Sequence, residues 1–301
     1  MPLRVMLRNV WALVRLTRPV FLLGGVALYG LGTAMAAFQG VSIRLDWLAL
    51  GQVMVTAIQL FAQYANEYFD AEGDALNTRR TWFSGGSGVL GTGALARPVA
   101  RRAMRIAAVC GAAAIVATAT QSPATAALGA LCMLGAWAYS APPLSLMGSG
   151  LGELSASLIV AFLTPLTAIS LHGGRLDAGM AAALAGLVLL HWAMLLAFSL
   201  PDRASDMAVG KRTLVVRIGA TRAAAAHAVL IGAALALFAA LGLTWSPARY
   251  VWIAFPVAVW QAGIVIWNAQ RHDAGAHAIT TGAVGLFVLA SAALLLGFVV
   301  I

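Results

Sequence analysis

An all-α integral membrane bundle of nine transmembrane helices is the fold class this sequence predicts, on three observations. The chain is 61% hydrophobic and only 10% charged, against about 25% charged residues in soluble domains, and its mean hydropathy is +0.89. Apolar runs of the roughly 20 residues needed to cross a bilayer recur along its whole length. The alternating segments of about 10 residues that mark a β-barrel do not occur.

The runs fall at 19–39, 46–68, 99–120, 124–141, 151–171, 178–200, 221–243, 249–268 and 277–300. No long polar insertion separates them, so residues 1–301 read as a single domain. The first run follows Arg4 and Arg8 and reaches "AMA" at 34–36, which superficially resembles a signal peptide with its cleavage site. It is longer than the apolar region of such a peptide and eight more runs follow, so it reads as a retained helix.

The second run carries one polar stripe. At 100° per residue, Gln52, Thr56, Gln59, Gln63, Asn66, Asp70 and Asp74 project within an arc of about 80°. It ends in "NEYFDAEGD" at 66–74, which holds Glu67, Asp70, Glu72 and Asp74. Glutamines at membrane depth can simply bond to neighbouring helices. Two carboxylates one turn apart need a compensating charge, and polar groups at that depth face the bundle interior or a wet cavity.

The sixth run repeats the arrangement. It ends "FSLPDRASDMAVGKRTLVVRIG", with Asp202 and Asp206 again four residues apart. Basic residues follow each pair: Arg79 and Arg80 after the first, Lys211, Arg212 and Arg217 after the second. Four carboxylates converging on one membrane face repel unless a cation sits between them. Oxygen ligands favour Mg²⁺ or Ca²⁺, and Mg²⁺ commonly combines one or two carboxylates with phosphate oxygens and water. Flanking guanidinium and ammonium groups supply the contacts a phosphate wants. The combination predicts a diphosphate site. An ion channel needs the acids but not the adjacent basic clusters, and an ion-coupled transporter puts them mid-span beside half-helix breaks.

The net charge of +9 records topology rather than nucleic-acid binding. With the N-terminus inside, sixteen of the nineteen basic residues lie on the cytoplasmic side, leaving Arg44, Arg175 and Arg249 outside. That is the positive-inside bias. It predicts a multi-pass protein of a bacterial-type inner membrane, with the acidic rim cytoplasmic and the C-terminus outside. Cys110 and Cys132 lie within apolar runs and fit no ligand spacing.

The same residues carry a family resemblance. "NEYFDAEGD" is similar to the N-x-x-x-D-x-x-x-D motif of the UbiA superfamily of intramembrane aromatic prenyltransferases, and "DRASD" resembles its second D-x-x-x-D motif. "GKRTLVVRIG" resembles the tail that follows it, and "YSAPP" at 139–143 its loop between helices 4 and 5. "FSGGSGVL" at 83–90 looks most like the branch that prenylates 1,4-dihydroxy-2-naphthoate in menaquinone synthesis, with the 4-hydroxybenzoate branch of ubiquinone synthesis as its near rival. Where many relatives have Asn a few residues before the second pair, this chain has Phe198, Ser199 and Pro201, which leaves that motif fewer ligands.

The resemblance implies a polyprenyl diphosphate donor, a small aromatic acceptor and the lipid bilayer as partners, with no obligate protein partner. Asp70, Asp74, Asp202, Asp206 and Asn66 are the expected Mg²⁺ ligands. Lys211, Arg212, Arg79 and Arg80 are the expected diphosphate contacts. Tyr139, ahead of Tyr64 and Tyr68, is expected to stabilise an allylic cation by π contact. The glycine-rich stretch from Gly85 to Gly93 reads as a lid over the site. Glu153 reads as a first-turn carboxylate or an orienting group. His191, eleven residues before Asp202 and so about 16 Å deeper, reads as a satisfied buried histidine. His172, His227, His272 and His277 show no metal-ligand spacing.

Overall fold

The computed structural model describes residues 3–271 and 275–300, with side chains from Arg8 to Gln270 and from Gly275 onward. His272 and the side chains of Arg4 and Arg271 lie outside the described residues. Twelve α-helices follow one another: α1 (Leu3–Leu16), α2 (Pro19–Phe38), α3 (Leu45–Leu76), α4 (Arg97–Ala119), α5 (Pro123–Ser140), α6 (Gly152–Leu158), α7 (Thr164–Leu171), α8 (Ala178–Ala208), α9 (Leu214–Ile218), α10 (Ala220–Thr244), α11 (Phe255–Arg271) and α12 (Ala276–Val300). No strand occurs among the described residues.

Eight helical stretches are long and apolar enough to cross a membrane, where the sequence suggests nine. The difference is α5, the shortest of the expected spans at 18 residues, with polar groups at both ends: Ser122 caps its N-terminus and Tyr139 and Ser140 close it. Two spans are built in pieces. A π-helical turn at Ile159–Leu163 joins α6 to α7, just ahead of Pro165, which removes a backbone donor. A 3₁₀ stretch at Ser246–Ala254 leads into α11. Pro201, by contrast, does not stop α8, which runs on to Ala208.

The helices pack as two halves. The core of one gathers α3, α4 and α5 around Met54, Phe61 and Met104. The core of the other gathers α8, α10, α11 and α12 around Leu184, Leu187 and Phe238. The α2–α7 pair joins them. Close approach depends on small residues, as it does where lipid offers no hydrophobic drive for helix association. A Cβ added at Gly32 would strike the Pro165 backbone, and one at Gly297 the backbone of Pro247. Outside, Val109, Val116, Val229 and Val288 are exposed, a surface suited to lipid rather than water.

α3 and α8 set the position of the site. They are the longest helices, at 32 and 31 residues, about 47 Å at 1.5 Å per residue against a hydrocarbon core of about 30 Å. The surplus turns carry Asp70, Asp74, Asp202 and Asp206 toward the polar rim, where a carboxylate can persist.

Candidate functional site

The ends of α3 and α8 meet at a cavity of about 190 Å³ lined by Asn66, Asp70, Asp74, Tyr139, Glu153 and Asp202. The two acidic motifs, 125 residues apart in sequence for Asn77 and Asp202, are joined directly: Asn77 Nδ2 donates to Asp202 Oδ1 at 2.7 Å. This amide comes from just past the first motif and ties it to the second. The Gly85 N–H donates to the other oxygen, Oδ2, at 3.1 Å.

Lys211 separates the two pairs. Its ammonium is ion-paired with Asp70 and lies 3.2 Å from Asp206 Oδ1. Burial works to lower the Lys211 pKa, but the Asp70 and Asp206 carboxylates outweigh it and hold the group above the ordinary lysine value, so it stays cationic. Removing one member of such a pair strands the others. Lys211→Met is expected to destabilise the protein by about 3 kcal/mol, read as a lowered thermal midpoint in detergent; an unchanged midpoint would mean that Asp70 and Asp206 do not depend on it.

Asp74 is in a different state. It is 8% exposed, and its carboxylate has no hydrogen-bond or ion-pair partner among the described residues. Gly86, at φ +66°, presses its Cα side against the Asp74 carboxylate, leaving no room for a Cβ. The expected convergence of four carboxylates on one ion is therefore only partly realised. Asp70, Asp74 and Asp202 line the cavity, Asp206 is held to one side by Lys211, and no group of three acidic, His or Cys side chains is closed on a single point among the described residues. Asn66 lines the cavity with its Nδ2 directed at Met147 Sδ, 3.3 Å away.

The other basic candidates sit elsewhere. Arg80 donates to the Asp74 carbonyl at 2.8 Å and to the Gly85 carbonyl at 2.7 Å, so it braces the loop. Arg212 is exposed; its N–H donates to the Gly148 carbonyl at 2.8 Å. Arg79 lines a separate cavity on the far side of α8. Neither Arg79 nor Arg212 reaches the acid-lined cavity, because the chain turns away after each motif.

The glycine-rich loop is tied down rather than free. Glu67, 2% exposed, accepts from the Ser87 N–H at 2.7 Å and its hydroxyl at 2.6 Å. Arg15 donates to the Ser87 carbonyl and Arg18 to the Phe83 carbonyl. The loop also brings Phe83 into the cavity wall, stacked on Phe198 at 6.1 Å between ring centroids and edge-on to Phe21. Tyr139 lines the cavity, but Tyr64 is packed in the α3–α4–α5 core and Tyr68 lies under the Arg97 guanidinium on the α4 side.

Glu153 is buried and lines the cavity. One carboxylate oxygen accepts from Ser199 at 3.3 Å, while Oε2 is buried without a partner. His191 is satisfied as expected, at 2.9 Å from Ser157 and edge-on to Phe287. Sequence reasoning missed Arg18, Phe83, Phe198 and Asn77 as site residues. Arg18, Phe83 and Asn77 reach the site through turns and loops whose path no local pattern signals, whereas Phe198, four residues before Asp202 on α8, was legible as a neighbour on the same helix face.

A bundle of membrane-spanning helices with carboxylates and an ion-paired ammonium gathered at the ends of its two longest members defines a multi-pass integral membrane protein with a polar cavity. The chain belongs to the UbiA prenyltransferase family, whose model matches residues 25–291, and it is accordingly a prenyl-transferring enzyme. No curated protein matches the chain. Among solved structures, it is similar to a UbiA homolog from Archaeoglobus fulgidus bound to GPP and Mg²⁺, with a TM-score of 0.68, 17% identity, and 96% of this chain and 99% of that one covered. A UbiA homolog from Aeropyrum pernix K1 gives 0.58 at 16% identity, covering 91% and 97%. A digeranylgeranylglyceryl phosphate synthase gives 0.56 at 15%, covering 99% and 97%. At these identities the likeness is one of fold.

Proposed function

We propose that the chain transfers a polyprenyl group from polyprenyl diphosphate to an aromatic quinone precursor, 1,4-dihydroxy-2-naphthoate, with Mg²⁺ as cofactor, at the cytoplasmic rim of a cell membrane. The observation that carries the reading is the unpartnered Asp74 carboxylate beside Asp70 and Asp202 in one cavity. Asp70, Asp74, Glu153, Asp202 and neighbouring Asp206 bring five carboxyl groups, against the basic groups of Arg18 and Lys211, a deficit of cationic partners. An all-oxygen set with such a deficit fits a hard divalent cation. Asp70, Asp74 and Asp202, with the Asn66 amide oxygen, are the residues that would hold it. Mg²⁺ there would act as a Lewis acid toward the diphosphate leaving group. The relative from Archaeoglobus fulgidus, bound to GPP and Mg²⁺, supports the cation and the class of donor.

The chain's own residues then divide the remaining work. Lys211 and Arg18 offer fixed positive charge to a departing diphosphate, and preorganised charge of this kind is usually the largest catalytic contribution. Phe83, Phe198 and Tyr139 present aromatic surface where the allylic carbon becomes cationic. The small, aromatic-walled cavity limits water, which would otherwise divert the cation to an alcohol. Glu153 lines the same cavity and offers a carboxylate to an acceptor hydroxyl.

Purified protein supplied with labelled polyprenyl diphosphate is expected to prenylate 1,4-dihydroxy-2-naphthoate with Mg²⁺ and to stop with EDTA. Product with 4-hydroxybenzoate alone would keep the site and replace the acceptor. EDTA-insensitive turnover would overturn the assigned cation.

A further inference from the structure

A second polar cavity, of about 140 Å³, lies behind the turn of α8 that carries Asp202. Arg79 and Arg203 line it together with Asn268 from α11, and Pro201, Ala220 and Ile279 supply apolar wall. None of its residues lines the acid-lined cavity. Arg203 follows Asp202 directly, so the two project about 100° apart on the helix and face different cavities.

The charges in this cavity are unbalanced. Neither the Arg79 nor the Arg203 guanidinium makes a hydrogen bond or ion pair among the described residues, and Arg203 Nε is fully buried without an acceptor. A buried donor without a partner costs about 1–3 kcal/mol, more when charged. Two like charges on one cavity add repulsion. Asn268, only 9% exposed, lines the cavity with its Nδ2 donating to the Ile264 carbonyl at 3.4 Å. A tetrahedral oxyanion relieves both the unmet donor and the repulsion, because guanidinium groups match phosphate oxygens with paired donors.

We propose that this cavity is a phosphate-binding site separate from the catalytic one, and that its occupant is the phosphate of an anionic phospholipid. The cavity lies at the same end of the bundle as the acidic rim, which is the level of lipid head groups. Its remaining wall of Leu200, Pro201, Ala204, Ala269 and Ile279 suits the glycerol and first methylenes of an acyl chain, which a free ion does not require. The site holds a lipid against the ends of α8, α10, α11 and α12 and clamps the turn on which Asp202 is mounted.

The test is thermal unfolding and lipid retention of the purified protein in phosphatidylcholine nanodiscs, with and without phosphatidylglycerol, and in detergent with inorganic phosphate. The parent is expected to unfold at higher temperature, and to retain a lipid by native mass spectrometry, when phosphatidylglycerol is present. Arg203→Gln is expected to weaken that retention at least about tenfold, the worth of one charge-assisted contact. The exposed Arg79→Gln, which removes no buried contact, should weaken it in the same direction if Arg203→Gln proves unstable. A response to inorganic phosphate that equals the response to lipid, and is lost in both variants, would keep the oxyanion site but overturn the lipid as its source. Variants that retain phosphatidylglycerol as the parent does would overturn the site itself, as would a parent indifferent to both probes.

Discussion

Asp202→Asn is expected to lower prenyl transfer at least about 100-fold, the usual cost of removing one preorganised electrostatic group, while leaving the protein folded and membrane-inserted. Asp202 accepts from Asn77 on one oxygen and from the Gly85 N–H on the other. An asparagine of the same shape has one oxygen and one NH₂. It can keep only one of those donors and turns the other into a clash of two N–H groups, and it also removes a negative charge from the cavity. Both losses fall on the contact that joins the two motifs. Turnover and the Mg²⁺ concentration for half-maximal rate should be measured together with the thermal midpoint. A near-normal rate with an unchanged Mg²⁺ requirement would remove Asp202 from the site. Asp70→Asn should be similarly inactive, with a larger loss of stability, because it also leaves Lys211 with only one of its two carboxylate partners.

How much of this was legible in the sequence follows from how local each signal is. The polar stripe from Gln52 to Asp74 and the repeat at Asp202 and Asp206 are helical periodicity, and the two helices bring Asn66, Asp70, Asp74 and Asp202 to one cavity, while Asp206 is held beside it by Lys211 and Gln59 lines a different cavity. The basic residues were harder. A Lys or Arg after a motif is equally close in sequence whether it turns toward the acids or away from them. Lys211 turns in, Arg80 turns back to hold the loop, Arg212 is exposed, and Arg79 crosses to the other side of α8. Aromatic placement failed for the same reason: Tyr64 and Tyr68 share the helix of the first motif but face its α4–α5 side, while Phe83 arrives from a loop. The lid reading of the glycines missed their anchoring because Glu67, which holds Ser87, looks in sequence like one more rim acid.

The rim position of the acids also bears on the choice between an enzyme and an ion-coupled transporter. A transporter places such groups near mid-span at broken helices. Here the π-helical break lies in the segment from Ile159 to Leu163, while the carboxylates occupy the last turns of α3 and α8, two helices that continue unbroken. The break is thus on a different element from the four aspartates; Glu153, in the first turn of α6, is the one acid of the cavity wall on the broken span.

The largest effect from a residue with no functional group of its own is expected at Gly86. Its φ of +66° is a left-handed conformation that costs an L-residue about 1 kcal/mol, and Gly93, at φ +69°, has the same requirement. Their surroundings differ. A Cβ at Gly93 meets nothing within 4 Å, whereas one at Gly86 overlaps the Asp74 carboxylate, a short and mostly buried side chain with little room to yield. Gly93→Ala therefore isolates the backbone strain, and Gly86→Ala adds displacement of Asp74 to it. Both variants should lose about 1 kcal/mol of stability, while only Gly86→Ala should lose about 100-fold in turnover and require more Mg²⁺ for half-maximal rate. A displacement of about 1 Å in a positioning group is enough for that. If the two alanines reduced turnover equally, the loop would matter only for its shape, and contact with Gly86 would not be what holds Asp74 in place.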